Sequence, residues 1–177
     1  MAFNQRRDAR EAAVQFLAHC EAHGKSAPAE ITDDDQTGFW HMRSAMRKVR
    51  ELALDLVKGV LMHLTEIDGR IQRHAHHYEI ARMNPVDRNV LRLATYEIFY
   101  RLDVPPIVAI NEAIEIAKRY GTEDSGGFVN GILDHVKEEV KRPLRTAASP
   151  DADGKVRDVA RAAEVGGDRP LTVDDLF

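Results

Sequence analysis

The fold is decided by residues 84–102, which read NPVDRNVLRLATYEIFYRL. Asn84 can accept a hydrogen bond from a backbone N–H at the start of a helix, and Pro85 suits the first helical position because it has no N–H to satisfy. Asp87 adds negative charge at the positive end of the helix dipole. Apolar residues then recur at helical spacing at Leu91, Ala94, Ile98 and Leu102. The stretch therefore predicts an amphipathic helix beginning at Pro85.

Two further helices are predicted directly after this one. The segment DVPP at 103–106 ends the first helix, because proline cannot continue it. Gly121 stops the next helix, whose apolar face consists of Ile107, Ile110, Ile114 and Ala117. Asp124 or Ser125 caps the last helix, whose apolar face consists of Val129, Ile132, Leu133, Val136 and Val140. The short connections predict antiparallel packing in a bundle.

Helical spacing also dominates the chain before residue 84. Residues 5–23 have the periodicity of a helix, and residues 24–38, with a glycine, a proline and three consecutive aspartates, are interpreted as a loop. The periodic stretch at 49–71 exceeds a typical globular helix, so we expect two helices with a break near 65–68. Because no segment alternates over strand length, the fold class is all-α.

Composition divides the chain of 177 residues into a domain and a tail. Residues 1–142 carry the helical pattern, whereas residues 143–177 are rich in Ala, Gly, Asp and Pro and are expected to form a mobile, acidic tail. The net charge is −4, while proteins that bind nucleic acid by electrostatics alone are usually basic. Any RNA binding must therefore use a local cationic patch or a partner.

The sequence also indicates the cellular compartment in which the protein is found. Cys20 is the single cysteine, so no disulfide can form within the chain, and its apolar neighbours favour a buried thiol over a nucleophile. The N-terminus lacks the apolar segment of a signal peptide, and no apolar run reaches membrane-spanning length. We expect a cytoplasmic protein with no membrane contact.

Three arginines near the start of the first helix form the candidate binding site. Arg6, Arg7 and Arg10 fall within an arc of about 100° on a helix, and Asp8 points away from them. Arginines can grip phosphates with two hydrogen bonds and stack on unpaired bases, as recognition of single-stranded RNA requires. The alternative is an ordinary solvated face, and these residues alone do not decide between the two.

Other chemistry-bearing residues predict no catalytic or metal site. The densest histidine group, at positions 74, 76 and 77, lacks a partner at metal-ligand spacing, so surface histidines are the better interpretation. Gly126 and Gly127 could let backbone N–H groups approach an anion, but the lysine of a phosphate loop is absent. Glu112 and Asn130 lie in apolar helices and suit structural hydrogen bonding. No nucleophile, base and acid can be ordered into a catalytic set, and no cofactor is expected.

Four segments together resemble a known family. They are RRDAREAAVQ at 6–15, VDRNVLRLATYE at 86–97, VAINEAIEIAK at 108–118 and FVNGILD at 128–134. These segments closely resemble the NusB family of bacterial transcription antitermination factors. The similarity is strong over 86–134, good over 5–17 and loose between 18 and 80, and the tail lies outside it.

The resemblance implies an all-α fold of two helical bundles, binding to the boxA element of ribosomal RNA leaders, and a heterodimer with NusE within an RNA polymerase antitermination complex. NusE is a ribosomal small-subunit protein that also acts in transcription. By this similarity the RNA contacts would be Arg6, Arg7 and Arg10. The region facing RNA and the partner would contain Asp124, Ser125 and Phe128. The residues holding helices together would be Glu112 and Asn130.

Three departures from the family pattern reduce the expected RNA affinity. Asp8 interrupts a commonly continuous arginine run, Ala18 stands where an aromatic residue is usual, and Gly127 replaces a frequent basic residue. Fewer cations imply fewer phosphate contacts.

Two alternative functions remain. The first is a protein-only adaptor or homodimer with weak RNA binding, and the second is a relative of the helical modules of ribosomal RNA methyltransferases. The second is disfavoured because no cofactor-binding segment follows residue 142.

Overall fold

The computed structural model of this chain describes residues 2–140, which contain seven α-helices and no strand. The helices are α1 (Ala2–Ala22), α2 (Asp33–Met42), α3 (Arg47–Met62), α4 (Leu64–His74), α5 (Pro85–Tyr100), α6 (Pro106–Tyr120) and α7 (Ser125–Val136). The all-α prediction is confirmed. The tail predicted at 143–177, with its boundary after residue 142, lies outside the described residues.

Helix α5 is the centre of the fold. The Asn84 side chain accepts a hydrogen bond from the Val86 N–H at 2.9 Å, and Pro85 occupies the first turn, as the sequence predicts. Residues 87–98 are all buried, because α5 packs against five other helices, namely α1, α3, α4, α6 and α7. Helix α5 therefore contacts helices that precede it and helices that follow it in the chain.

Two buried arginines on α5 are matched by partners on neighbouring segments. Arg92 donates from Nε and Nη2 to the two carboxylate oxygens of Asp68 on α4, each at 2.7 Å. Arg88 Nη1 donates at 3.0 Å to three backbone carbonyls in the segment before α5, namely those of Ile80, Ala81 and Met83. Such partners offset the cost of burying a charge. They also fix the segment between α4 and α5 against the core.

The interpretation of residues 24–38 as a loop is wrong for its last part, because α2 begins at Asp33. The Thr32 hydroxyl accepts from the Asp35 N–H at 3.2 Å, and the Asp35 carboxylate accepts from the Thr32 N–H at 2.7 Å. This reciprocal capping box satisfies two backbone donors. The three consecutive aspartates stand in the first turn, where the helix dipole favours negative charge.

The break in the long periodic stretch falls at His63 rather than at 65–68. Helices α3 and α4 are separated by this single residue, and its ring stacks on Tyr100 with centroids 3.9 Å apart. The prediction of two helices is confirmed, but the position of the break differs from the predicted one, because the apolar spacing continues through the break.

Within residues 2–140, no helix is both long and apolar enough to cross a membrane.

Removing the α2 cap should destabilise the protein modestly. We expect Thr32→Ala to lower the free energy of unfolding by about 1 kcal/mol, the usual cost of losing a threonine cap. Urea denaturation followed by circular dichroism measures this change. Thr37→Ala, an exposed position within α2, is the matched control and should have a smaller effect. Equal losses at the two positions would show that the capping box does not stabilise α2.

Candidate nucleic-acid interface

Arg7 projects from the first part of α1 and is anchored to α6. Its Nε and Nη2 donate to the two carboxylate oxygens of Glu112, at 2.8 and 2.7 Å. The Arg7 side chain is 44% exposed, whereas that of Glu112 is 14% exposed. Hydrogen bonding and charge attraction raise the pKa of Arg7 and lower that of Glu112. Glu112 thus holds the guanidinium in one orientation from beneath and leaves its outer edge in solvent.

Arg6 is exposed beside Arg7 and borders a shallow pocket on the other side of α1. The pocket is also lined by Leu52 and Val104. The pKa of Asp103 in its wall is held below its ordinary value, chiefly by Arg101 and to a smaller extent by Arg6. Arg6 and Arg7 are therefore both exposed cations, with Arg6 beside this pocket and Arg7 bound to Glu112 on α6.

Arg10 is placed differently from Arg6 and Arg7. It is buried, and its Nε lies 3.0 and 2.9 Å from the two carboxylate oxygens of Glu97 on α5, which is also buried. Periodicity correctly puts Arg10 on the same side of α1 as Arg6, but α5 covers that position. The burial does not favour direct contact between Arg10 and RNA, and it gives Arg10 a role in joining α1 to α5.

A second polar link joins α1 to the end of α6. The buried Glu11 carboxylate accepts from Arg119 Nη1 at 2.8 Å and from the Tyr120 hydroxyl at 2.6 Å. Burial raises the pKa of Tyr120, and the Glu11 carboxylate adds to that shift. Sequence reasoning did not single out Glu11, Glu97 or Arg119. Their partners lie 87 to 109 residues away, so no local pattern could identify these contacts.

The start of α7 contains the residues predicted to face RNA and a partner. Asp124 is exposed and makes no side-chain cap hydrogen bond. Ser125 is buried, and its Oγ accepts from the Thr122 N–H at 2.8 Å. Ser125 thus closes the turn before α7 instead of facing outward. Asp124 occupies the N-cap position, as predicted, but its side chain makes no cap hydrogen bond.

Phe128 lies one turn into α7 and is half-buried. Its ring packs edge-on against Tyr78, with centroids 5.1 Å apart, and Tyr78 is an exposed residue between α4 and α5. Asn130 donates to the Asp134 carboxylate at 3.2 Å, so this hydrogen bond stays within α7. Of the two residues expected to hold helices together, Glu112 makes an interhelical bond and Asn130 makes this local one.

Other candidate chemical groups are occupied in structural contacts. Cys20 is buried, and burial raises the pKa of its thiol to about 11, so the thiol is held in its neutral form. His74 bonds Glu139 through Nε2 at 2.8 Å. In the described part of the chain, no group of three or more His, Cys, Asp or Glu side chains could hold a metal ion.

Comparisons with known proteins agree on one family. The model of the NusB family matches residues 7–138. Transcription antitermination protein NusB of Desulfitobacterium hafniense is 45% identical over 141 residues, covering 77% of this chain and 90% of that protein. The protein of the same name from Thermodesulfovibrio yellowstonii is 40% identical over 142 residues, covering 77% of this chain and 94% of that protein.

Solved structures extend this similarity to the fold. The structure of T. maritima NusB is 40% identical, with a TM-score of 0.65, and the match covers 77% of this chain and 93% of that one. A structure of the antitermination factors NusB and NusE in complex with double-stranded RNA matches with 26% identity and a TM-score of 0.66, over 76% of this chain and 97% of that one. The chain belongs to the NusB family.

Proposed function

We propose that this protein is a transcription antitermination factor that binds boxA-type RNA of ribosomal RNA leaders together with the ribosomal small-subunit protein NusE. The observation that carries the proposal is the match to NusB proteins over residues 7–138, joined to the similar structure of NusB and NusE with RNA. In this role the protein would join an RNA polymerase antitermination complex in the cytoplasm. It would act by binding and not as an enzyme.

The described geometry supports a division of labour among the candidate residues. Arg6 and Arg7 would contact RNA, because their side chains are exposed and a guanidinium can bind phosphate with two hydrogen bonds. Glu112 would keep Arg7 oriented, and Arg10 would contribute by holding α1 on α5 through its buried pair with Glu97. An oriented cation loses less conformational freedom when it binds a ligand.

The region around the start of α7 would face NusE and the adjoining RNA. Asp124 offers an exposed carboxylate, and Phe128 offers an aromatic surface that continues onto Tyr78. Aromatic residues are enriched at the centres of protein interfaces. Ser125 would act from beneath, because its hydroxyl fixes the turn that presents Asp124.

Cooperation between the two proteins provides the test. We expect the chain and NusE together to bind boxA RNA more tightly than either protein alone, because the overall charge of −4 gives this chain little general attraction for RNA. Gel-shift titrations with boxA RNA and a scrambled RNA, each with and without NusE, measure this. Equal affinity with and without NusE would contradict the proposal. NusE binding without any RNA binding would favour the protein-only adaptor instead.

A further inference from the structure

Two cations at the end of α6 are exposed next to the α1 arginines. The side chains of Lys118 and Arg119 are 60% and 64% exposed. Together with Arg7 they line one shallow groove between α1 and α6, whose other walls are Glu11, Glu115 and Ile116. We call this surface the α1–α6 groove. Glu112 and Arg119 are about 10 Å apart along α6 at 1.5 Å per residue, so the cations of the groove extend from the Arg7–Glu112 pair to the C-terminal end of α6.

Gly126 determines where the Lys118 side chain lies. A Cβ at Gly126 would stand 2.8 Å from Lys118 Cγ and 3.4 Å from Lys118 Cε. The Lys118 methylene chain therefore crosses the first turn of α7 through space that a larger residue would occupy. Its ammonium is held at the rim of the groove by Glu115, to which Lys118 Nζ donates at 3.0 Å.

The groove separates its charges by depth. The Glu11 side chain, 5% exposed, lies beneath Arg119, and Glu112 lies beneath Arg7, so both carboxylates face inward while the guanidinium groups face solvent. Glu115 is the exposed carboxylate of the groove, and it accepts from Lys118 Nζ at 3.0 Å. An approaching anion thus meets the cations before it meets the buried carboxylates.

We propose that the α1–α6 groove is a second phosphate-binding segment of the RNA interface, in which Lys118 and Arg119 contact the RNA backbone between Arg7 and the start of α7. This inference rests on the proposed function and adds two contacts to it. Phosphate is the ligand that fits, because the groove offers several outward N–H donors at its rim.

Charge removal in the groove is the first arm of the test. With NusE present, Lys118→Gln and Arg119→Gln should each weaken boxA RNA binding about three- to tenfold and reduce the slope of log K against log salt by about 0.7, the value for one phosphate contact on a single strand. Lys58→Gln is the matched control, because Lys58 is exposed on α3 and does not line the groove. The affinity of this variant for boxA RNA should stay unchanged. Thermal unfolding verifies that each variant is folded.

A pair of glycine substitutions tests the position of Lys118 without removing charge. An alanine at Gly126 must displace the Lys118 side chain, whereas no atom lies within 4 Å of a Cβ at Gly127. We expect Gly126→Ala to weaken RNA binding and Gly127→Ala to leave it unchanged. Gly126→Ala should cause no further loss when it is added to Lys118→Gln, because the charge it displaces is already gone.

The outcomes separate this inference from the proposed function. If the wild-type protein with NusE binds boxA RNA, and Lys118→Gln and Arg119→Gln bind it as tightly as the wild type does, the proposal that the groove binds phosphate is overturned. The proposed function then stands. If these variants lose affinity for NusE in the absence of RNA, the groove is a protein contact and the inference is also overturned. Failure of the wild-type protein to bind boxA RNA would overturn both.

Discussion

Replacing Glu97 with glutamine should lower the free energy of unfolding by about 3–5 kcal/mol, the range for breaking a buried ion pair by removing one partner. The Arg10 and Glu97 side chains are 7% and 4% exposed, and Arg10 Nε contacts both carboxylate oxygens. Glutamine keeps the size of the side chain but removes the negative charge, so the guanidinium stays buried beside a neutral amide. Urea denaturation followed by circular dichroism gives the change directly.

An exposed ion pair on α3 gives the matched control. Arg47 and Glu51 also form a salt bridge, at 2.6 Å, but both side chains are solvated, and exposed pairs contribute little to stability. Glu51→Gln should therefore leave the denaturation midpoint unchanged. Similar losses for Glu97→Gln and Glu51→Gln would show that burial does not strengthen the Arg10–Glu97 pair.

The buried pair also decides how Arg10 contributes to RNA binding. A double variant that combines Arg10→Met with Glu97→Leu should be more stable than Glu97→Gln alone, because apolar residues remove both buried charges together. If Arg10 acts by holding α1 on α5, this folded double variant keeps its affinity for RNA. A folded double variant that no longer binds RNA would instead place Arg10 among the direct RNA contacts.

The elements near α5 could be predicted because their signals are local. Asn84 and Pro85 mark a helix start by their own chemistry, and the apolar spacing that follows is independent of the rest of the chain. Helix α2 was missed because Thr32 and Asp35 form its cap with an aspartate instead of the usual glutamate or glutamine. Three aspartates in a row also have the composition of a loop.

The candidate site was predicted as a helix face but not as a set of contacts. Periodicity puts three arginines of α1 on one side and says nothing about which of them a neighbouring helix will cover. Arg7 meets Glu112 across 105 residues, and Arg10 meets Glu97 across 87. Packing of α1 against α5 and α6 therefore decides that Arg7 stays exposed and Arg10 becomes buried. The groove occupied by Lys118 depends in the same way on the absence of a side chain at Gly126.

Removing both exposed arginines of α1 should have the largest effect on RNA affinity. We expect the combined change of Arg6→Gln and Arg7→Gln to weaken boxA RNA binding in the presence of NusE by about 100- to 10,000-fold, because hydrogen bonds to charged groups contribute about 1.5–3 kcal/mol each and 1.4 kcal/mol corresponds to a factor of about ten. The salt slope should fall by about 1.4, for two phosphate contacts at 0.7 each. Filter binding at several salt concentrations measures both quantities.

Two controls distinguish specific contacts from general attraction between the protein and RNA. Arg47 and Lys48 are likewise adjacent, exposed cations at the start of a helix, so changing both to glutamine removes the same charge from α3. An equal loss of affinity in this α3 variant would contradict a specific site on α1.

The second control changes Glu112. Glu112→Gln makes the protein more positive by one charge, so general attraction predicts tighter binding to RNA. If Glu112 orients Arg7 through its two hydrogen bonds, the same change weakens binding instead, and the sign of the effect decides between the two explanations.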